Sequence, residues 1–383
     1  MSTVPEIDLT SLDDPAAVHG QAREQGPIAR LVAPGLGPMW AVTRHAEARA
    51  MLADPRFGNN AASYPRLDVP EHCRPYLRTM QEMDGPEHQR LRRLSAPAFT
   101  ARRAADFRPV VSQIVDRLLD DVADRLLDGP VDLLEHFAGP LPMEVICALV
   151  GVPAGDRPAW LAHGRAVAAG NGPAFVAAIP AIIDGARTAA PHVAAMFGGG
   201  LTEQELVTLV WHLVLAGQTP TNLIANSVAA LLEDPSRAAL LRAEPHLLPG
   251  AVEELTRWCG PQLLTIPRYV QRPTTLAGIT VAPGEPVTVS IVAANRDPRV
   301  FPDPERLDLR STSAGAHLGY AHGPHFCLGA PLARVQTTVA LGALLSRFPD
   351  LALSDAGALA GIAARRVPDP GTWRLAALPV TVG

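Results

Sequence analysis

The run GYAHGPHFCLGAPLAR, from Gly319 to Arg334, holds the densest reactive chemistry in the chain: His322, His325 and Cys327 among Gly319, Gly323 and Gly329. A lone cysteine is most often a small buried hydrophobe. Cys73, Cys147 and Cys259, scattered and without a CxxC pair, are read that way. A zinc site built from His322, His325 and Cys327 is an alternative, but no further ligand stands at a usual spacing, and structural zinc takes four. A third reading is a haem iron held by one thiolate. That chemistry needs a tight loop whose backbone N–H groups face the sulfur and tune the iron. Gly323 and Gly329 would supply the positive φ and close approach of such a loop. The helix-like run just past Cys327 would aim its positive end at the sulfur and favour the thiolate.

The order Tyr320-Ala321-His322-Gly323-Pro324-His325-Phe326-Cys327-Leu328-Gly329 resembles the haem-binding signature of the cytochromes P450. Gly323, His325, Cys327 and Gly329 match it; Tyr320 stands where Phe is usual and Ala321 where the first Gly is usual. Other motifs resemble the family's and fall in the same order. Glu254 and Arg257 in EELTR are by themselves an i,i+3 pair worth a few tenths of a kcal/mol. The resemblance implies a buried Glu-x-x-Arg that locks the core with a later arginine, Arg306 in FPDPERLDL, with Arg296 as the fallback. His88 and Arg92, four apart in DGPEHQRLRR, read alone as surface charge. The resemblance implies that they hold the haem propionates together with Arg268 and His325, because a buried unpaired carboxylate is costly. It further implies haem b, iron ligation by Cys327, and electrons from NAD(P)H through a ferredoxin reductase and ferredoxin.

One departure stands out. Where the family usually shows Ala/Gly-Gly-x-acid-Thr-Thr, with the acid and alcohol relaying protons, this chain has Ala216-Gly217-Gln218-Thr219-Pro220-Thr221. Aligned from upstream, Thr219 takes the acid position and Pro220 the alcohol position. Aligned from downstream, Gln218 and Thr219 take them. No carboxylate is present in either register, and Gln218 and Thr219 become the candidates for positioning water. Pro220 lacks an N–H and is expected to kink the helix. Leu213, Ala216, Gly217, Leu263, Leu264 and Ile266 are the candidate pocket residues.

These side chains need elements to hold them. Apolar residues at three- and four-residue spacing predict helices over 86–99, 107–127, 140–150, 203–232, 236–243, 248–258 and 331–347. IARLVAP and MWAVTR predict two strands, and TTLAGITVAPGEPVTVSI a hairpin turning at Pro-Gly. The expected fold is mainly α with small peripheral sheets, in one domain over 1–383. The resemblance implies the P450 fold, with haem buried between the long distal helix and the cysteine loop with its following helix. The lid region near 160–190 is rich in Ala, Gly and Pro, with Phe175 as its aromatic.

Composition narrows the classes. Apolar residues make up 48% of 383 residues, enough for a large core. The net charge of −5, with arginine and no lysine, gives no nucleic-acid surface. Cysteine usage and the acidic, unhydrophobic N-terminal stretch point to a cytoplasmic protein without a secretory leader, and a monomer is expected. LVTLVWHLVLAG is too short to cross a bilayer. The expected activity is oxidation of a bulky, secondary-metabolite-like small molecule, most simply by hydroxylation. C–C or C–N coupling or ring closure is the alternative, and a haem-binding partner protein without turnover is the reading from another class. A carrier protein is a further candidate partner.

Overall fold

The computed structural model describes residues 4–10, 14–34, 37–60, 68–168, 172–197, 199–354, 366–367 and 369–382. The chain divides into two compact units. Met1–Ser63, Asn226–Cys327 and Asp355–Ala376 form one; Tyr64–Ala225, Leu328–Ser354 and Ala377–Gly383 form the other.

The first unit is organised by a six-stranded sheet. Its order is Glu6–Asp8, Ile28–Val32, Met39–Val42, Pro286–Val289, Arg268–Val270, Phe57–Gly58. Ile28–Val32 and Met39–Val42 pair antiparallel, with Ile28 opposite Val42. Met39–Val42 then runs parallel to Pro286–Val289, with Val42 opposite Val289. Residues some 250 positions apart are thereby stitched together. Trp40, Met51, Phe57, Val287 and Leu318 close one core cluster there, and Leu318 directly precedes the cysteine loop. The helix Leu248–Cys259 buries Leu248, Ala251, Val252, Leu255 and Cys259, the three- and four-residue stripe of an amphipathic helix.

The second unit is helical. Arg108–Leu126 packs on Ala330–Arg347, and Gly172–Ala194 packs on Glu203–Ala216. The latter pair shares a cluster that includes Ile179, Ile182, Ala186, Val207, Val210 and Val214. A small sheet of Leu351–Leu353, Pro379–Val382 and Val131–Asp132 completes the unit. The lid residues 169–171 lie outside the described residues. Among those described, no helix is long and apolar enough to cross a membrane.

The mainly helical reading with small sheets holds, with two corrections. The helix expected over 203–232 is two helices, Glu203–Ala216 and Thr219–Leu232. Pro220 does not kink a continuous helix; it lies in the first turn of the second one, where a missing N–H costs little. The break itself is tight: Gly217 N donates to Leu213 O at 2.8 Å, and Gln218 N to Leu215 O at 3.1 Å. The second correction is the hairpin turn. Thr274–Leu276 pairs with Ile279–Val281, Leu276 opposite Ile279. The turn is therefore Ala277–Gly278, with both φ angles positive (49° and 85°), as a two-residue hairpin of right-handed twist requires. Pro283–Gly284 instead redirects the chain into Pro286–Val289, which belongs to the large sheet.

Candidate active site

In the sheet unit, the cysteine loop is held by backbone hydrogen bonds. Ala321 N donates to Leu318 O (2.8 Å), Phe326 N to Gly323 O (3.0 Å), and Cys327 N to Tyr320 O (2.9 Å). Gly323 has φ +74°, and a Cβ built there would lie 2.7 Å from Leu52 O. Glycine is thus required twice over, by dihedral and by space. Arg268, 5% exposed, donates through Nη1 to that same Leu52 carbonyl at 2.6 Å. Gly323 and Arg268 therefore meet one oxygen. Gly329 departs from the expectation: its φ of −82° is ordinary, and nothing lies within 4 Å of an added Cβ. Ala321, at the usual glycine position, has φ +59°. His325 sits half-buried with Nδ1 3.5 Å from Asn59 Nδ2. The Tyr320 ring is buried beside His317 and Phe326.

Cys327 is the exposed one of four free cysteines. Burial pushes the thiols of Cys147 and Cys259 up to about 12, with nearby charges making smaller contributions. Those sulfurs stay protonated and inert.

Behind the loop, Arg257 uses all five guanidinium donors. Nε and Nη2 grip Glu254 at 2.7 Å each, while Asn295 O, Pro304 O and Arg306 O accept the remaining three. Both partners are almost fully buried. Arg306 thus enters through its carbonyl, correcting the expectation of a third arginine side chain; its own side chain is exposed. Arg296, the fallback, donates to Trp258 O and pairs with Glu305 instead. The clamp works because a planar fork can satisfy several loop carbonyls at once. His317 extends it, lying 3.2 Å from Glu253 while its Nδ1 accepts from Gly319 N.

Of the apolar run after that helix, Leu263 is fully buried, and Leu264 is half-buried against the cluster of Ile7 and Leu31. Ile266 is half-buried. The Leu263 N–H donates to Gly371 O, and its C=O accepts from Ile291 N.

In the helical unit, His88 (3% exposed) and Arg92 lie one turn apart on Gly85–Ser95. Leu213 is half-buried, Ala216 is exposed, and Gly217 and Thr219 are half-buried. The Thr219 hydroxyl donates to Ala216 O at 3.0 Å. Pro220 explains this bond: it has no N–H to give the Ala216 carbonyl, so the preceding hydroxyl takes that place. Gln218 is 6% exposed, and its amide packs against Gly164, whose added Cβ would come within 2.8 Å of it. Its Nε2 has no hydrogen-bond partner among the described residues.

Sequence reasoning missed Leu52, whose role is purely backbone, and Asn295, whose Oδ1 accepts from Leu318 N at 2.7 Å.

Comparison with known proteins gives these features a family. Residues 197–352 match the model of the cytochrome P450 family. The chain is 39% identical to the cytochrome P450 monooxygenase PikC of Streptomyces venezuelae, over 91% of this chain and 88% of that one. Among solved structures, P450BioI in complex with an acyl carrier protein ligated to hexadec-9Z-enoic acid superposes with a TM-score of 0.85. It is 30% identical, with 97% of this chain and 99% of that one covered. CxnD, a P450 enzyme for C–S bond formation in chuangxinmycin biosynthesis, gives 0.84 at 28% identity, covering 100% and 98%. With that identity across nine-tenths of its length, and a signature loop folded around an exposed cysteine, this chain belongs to the cytochrome P450 family of haem-thiolate oxidoreductases.

Proposed function

We propose that the 383 residues act as one haem b monooxygenase domain in which Cys327 supplies the thiolate. The observation that carries this is the convergence on Leu52 O. Gly323 and the buried Arg268 both close on that carbonyl, anchoring to one oxygen the loop that carries the exposed Cys327 and a buried cation. The residues present suit the group. A soft sulfur donor is offered to iron, and buried cations are offered to carboxylates. When bound, the haem supplies activation of dioxygen. The protein's own residues bind and orient. His88, Arg92, Arg268 and His325 are the proposed propionate partners, and Tyr320 and Gly329 border the group. Thr219, its O–H given to Ala216 O, can accept a hydrogen bond from water at its lone pairs. Leu213, Ala216, Gly217 and Ile266 are the proposed substrate contacts.

The substrate class is a bulky secondary-metabolite-like small molecule, supported by the character of the relatives. A carrier-protein-bound form is consistent with the P450BioI complex. Ferredoxin and its reductase are the proposed electron source, in the cytoplasm. Reduced protein with carbon monoxide is expected to show the red-shifted Soret band of thiolate ligation, and Cys327→His to lose it. A Cys327→Ser protein that bound haem and kept the same band would overturn the assignment. Arg92→Ala with Arg268→Ala is expected to shed haem on gel filtration, each losing about 2–5 kcal/mol if the carboxylate is deeply buried. Full haem occupancy in the double variant would remove both from the clamp.

A second reading is oxidative bond formation without oxygen insertion. The absence of a carboxylate in AGQTPT favours it, since it removes the usual proton donor near Thr219. Labelled dioxygen decides. One labelled oxygen per product, lost in Thr219→Val, establishes hydroxylation; unlabelled product establishes coupling.

A further inference from the structure

The helical unit contains a cavity of about 180 Å³ that none of the site residues above lines. Its walls are Arg78, Met80 and Met83, one face of Gly85–Ser95 (Glu87, Leu91, Ser95), and one face of Glu203–Ala216 (Glu205, Thr208, His212) together with neighbouring residues. On Gly85–Ser95 the cavity takes the stripe 87, 91, 95, about 100° around the helix from His88 and Arg92. Apolar and polar walls alternate, and the polar ones are unusual. Ser95 is 1% exposed, and its Oγ has no hydrogen-bond partner. Thr208 is buried at 8% and lines the cavity. The half-buried His212 has no hydrogen bond to any described residue and lines the same cavity.

An unpartnered buried hydroxyl costs about 1–3 kcal/mol. Three polar groups around one space large enough for several waters indicate that water fills it. At the outer end, Arg78 pairs with Glu87 at 2.7 Å and Glu205 pairs with Arg90, so ionised groups join the cavity to solvent. At the inner end, His212 is the last wall residue. Ala216 follows it at i+4 on the same helix face, and the Thr219 hydroxyl is hydrogen-bonded to the Ala216 carbonyl at 3.0 Å. His212 has two ring nitrogens, one able to accept from the cavity side and the other able to donate onward. Burial holds its pKa down to about 4, so the ring is neutral and offers both roles at once.

We propose that this cavity holds an ordered water file and that His212 is a positioning residue, carrying the file toward the Thr219 hydroxyl in place of the missing carboxylate. The proposal rests on the reading of Thr219 given above. Protons would enter from solvent at the Glu87–Glu205 mouth and leave at water bound to Thr219, with no net charge left on the file. Substitution of His212 by Leu closes the file; substitution by Gln preserves one donor and one acceptor.

The test uses the haem-loaded protein, a surrogate ferredoxin and reductase, and NADPH, without added substrate. His212→Leu is expected to slow NADPH consumption on the order of tenfold and to raise its solvent deuterium isotope effect. His212→Gln is expected to recover most of both. A high-resolution crystal structure of the wild type should show waters bonded to Ser95 Oγ, Thr208 Oγ1 and His212, and that of His212→Leu should lack them. A dry cavity in the wild type, or an unchanged isotope effect in His212→Leu, would overturn the proposal. Thr219→Val separates the two claims. If it changes nothing while His212→Leu slows turnover, the reading of Thr219 fails and the water file stands. If only Thr219→Val has an effect, the file fails.

Discussion

Ala321 is where the cysteine loop is strained, and the strain is measurable. Its φ of +59° is the left-handed region, which costs an L-residue with a Cβ roughly 1–2 kcal/mol. Replacing it by Gly relieves that cost but adds about 0.4–1 kcal/mol of unfolded-state entropy. The relief outweighs the entropy, so Ala321→Gly should stabilise the protein by about 0.5–1 kcal/mol, read as a rise in the denaturation midpoint. Gly323→Ala should do the reverse and more, because its Cβ would strike Leu52 O at 2.7 Å in addition to holding φ +74°. An unchanged midpoint in the Gly323→Ala protein would show that Leu52 can retreat, and with it the anchor of Arg268. Two positive-φ sites in one short loop thus carry opposite expectations, set by space rather than by dihedral alone. The same asymmetry explains what was readable in the loop. Cys327 and Gly323 could be picked out by residue type, whereas the oxygen that makes Gly323 necessary belongs to the backbone of a helix some 270 residues earlier.

At the scale of elements, the break between Glu203–Ala216 and Thr219–Leu232 is the feature with most consequence. Two causes compete for it. Pro220 denies Ala216 O its N–H partner, and Gln218 is drawn inward against Gly164. Pro220→Ala separates them. A restored N–H can close on Ala216 O, gaining about 0.5–1.5 kcal/mol, while losing the rigid residue costs about 0.4–1 kcal/mol. Stability should therefore move by less than about 1 kcal/mol. The structural change should be large by comparison: the amide of residue 220 becomes protected from hydrogen exchange, and the Thr219 hydroxyl is displaced from its acceptor. An amide that exchanges as fast as a free turn would assign the break to Gln218 instead. This element was only half legible. The 3.6-residue period continues through 203–232 without interruption, so periodicity reads one helix; the packing of Gln218 on Gly164 at the break is a contact no local pattern encodes. The hairpin shows the same limit in reverse. Ala-Gly and Pro-Gly both read as turns, and the choice was made by Pro286–Val289 joining a different sheet. By contrast, Leu248–Cys259 was legible because its apolar stripe and its Glu254–Arg257 pair lie on one helix, although which loop groups Arg257 would grip was not.

Over the whole molecule, burial has left histidines that can carry no charge without cost, and this sets the response to acid. His19 is 0% exposed, with Nδ1 2.8 Å from Ser290 Oγ and no partner for Nε2. Burial first, and the Arg366 guanidinium second, push its pKa down to about 4. In the unfolded chain it titrates near 6.5. Above that value both states leave it neutral, and its contribution to stability is complete. As pH falls below 6.5 the unfolded chain takes up a proton that the folded one refuses, so stability declines until the folded pKa is reached. The loss from this one residue approaches about 2 kcal/mol by pH 5 and about 3 kcal/mol by pH 4. His212, also held down to about 4 by burial, adds to the same slope, less steeply where water in its cavity can solvate the charged ring. Carboxylates act lower on the scale: Asp54, for instance, is held below its usual value chiefly by Arg56, so its contribution fades only as pH falls through that lowered pKa. The window between pH 6.5 and 4 therefore belongs to the buried histidines. His19→Asn keeps a group able to meet Ser290 Oγ and removes the titration. Urea denaturation of the haem-loaded protein at pH 7 and pH 5 should show the variant losing less stability than wild type by about 2 kcal/mol across that interval. Haem release, common to both proteins, cancels in the difference. Equal losses in the two would mean that His19 is already solvated in the folded state and that the core around Ser290 is more open to water than its burial implies.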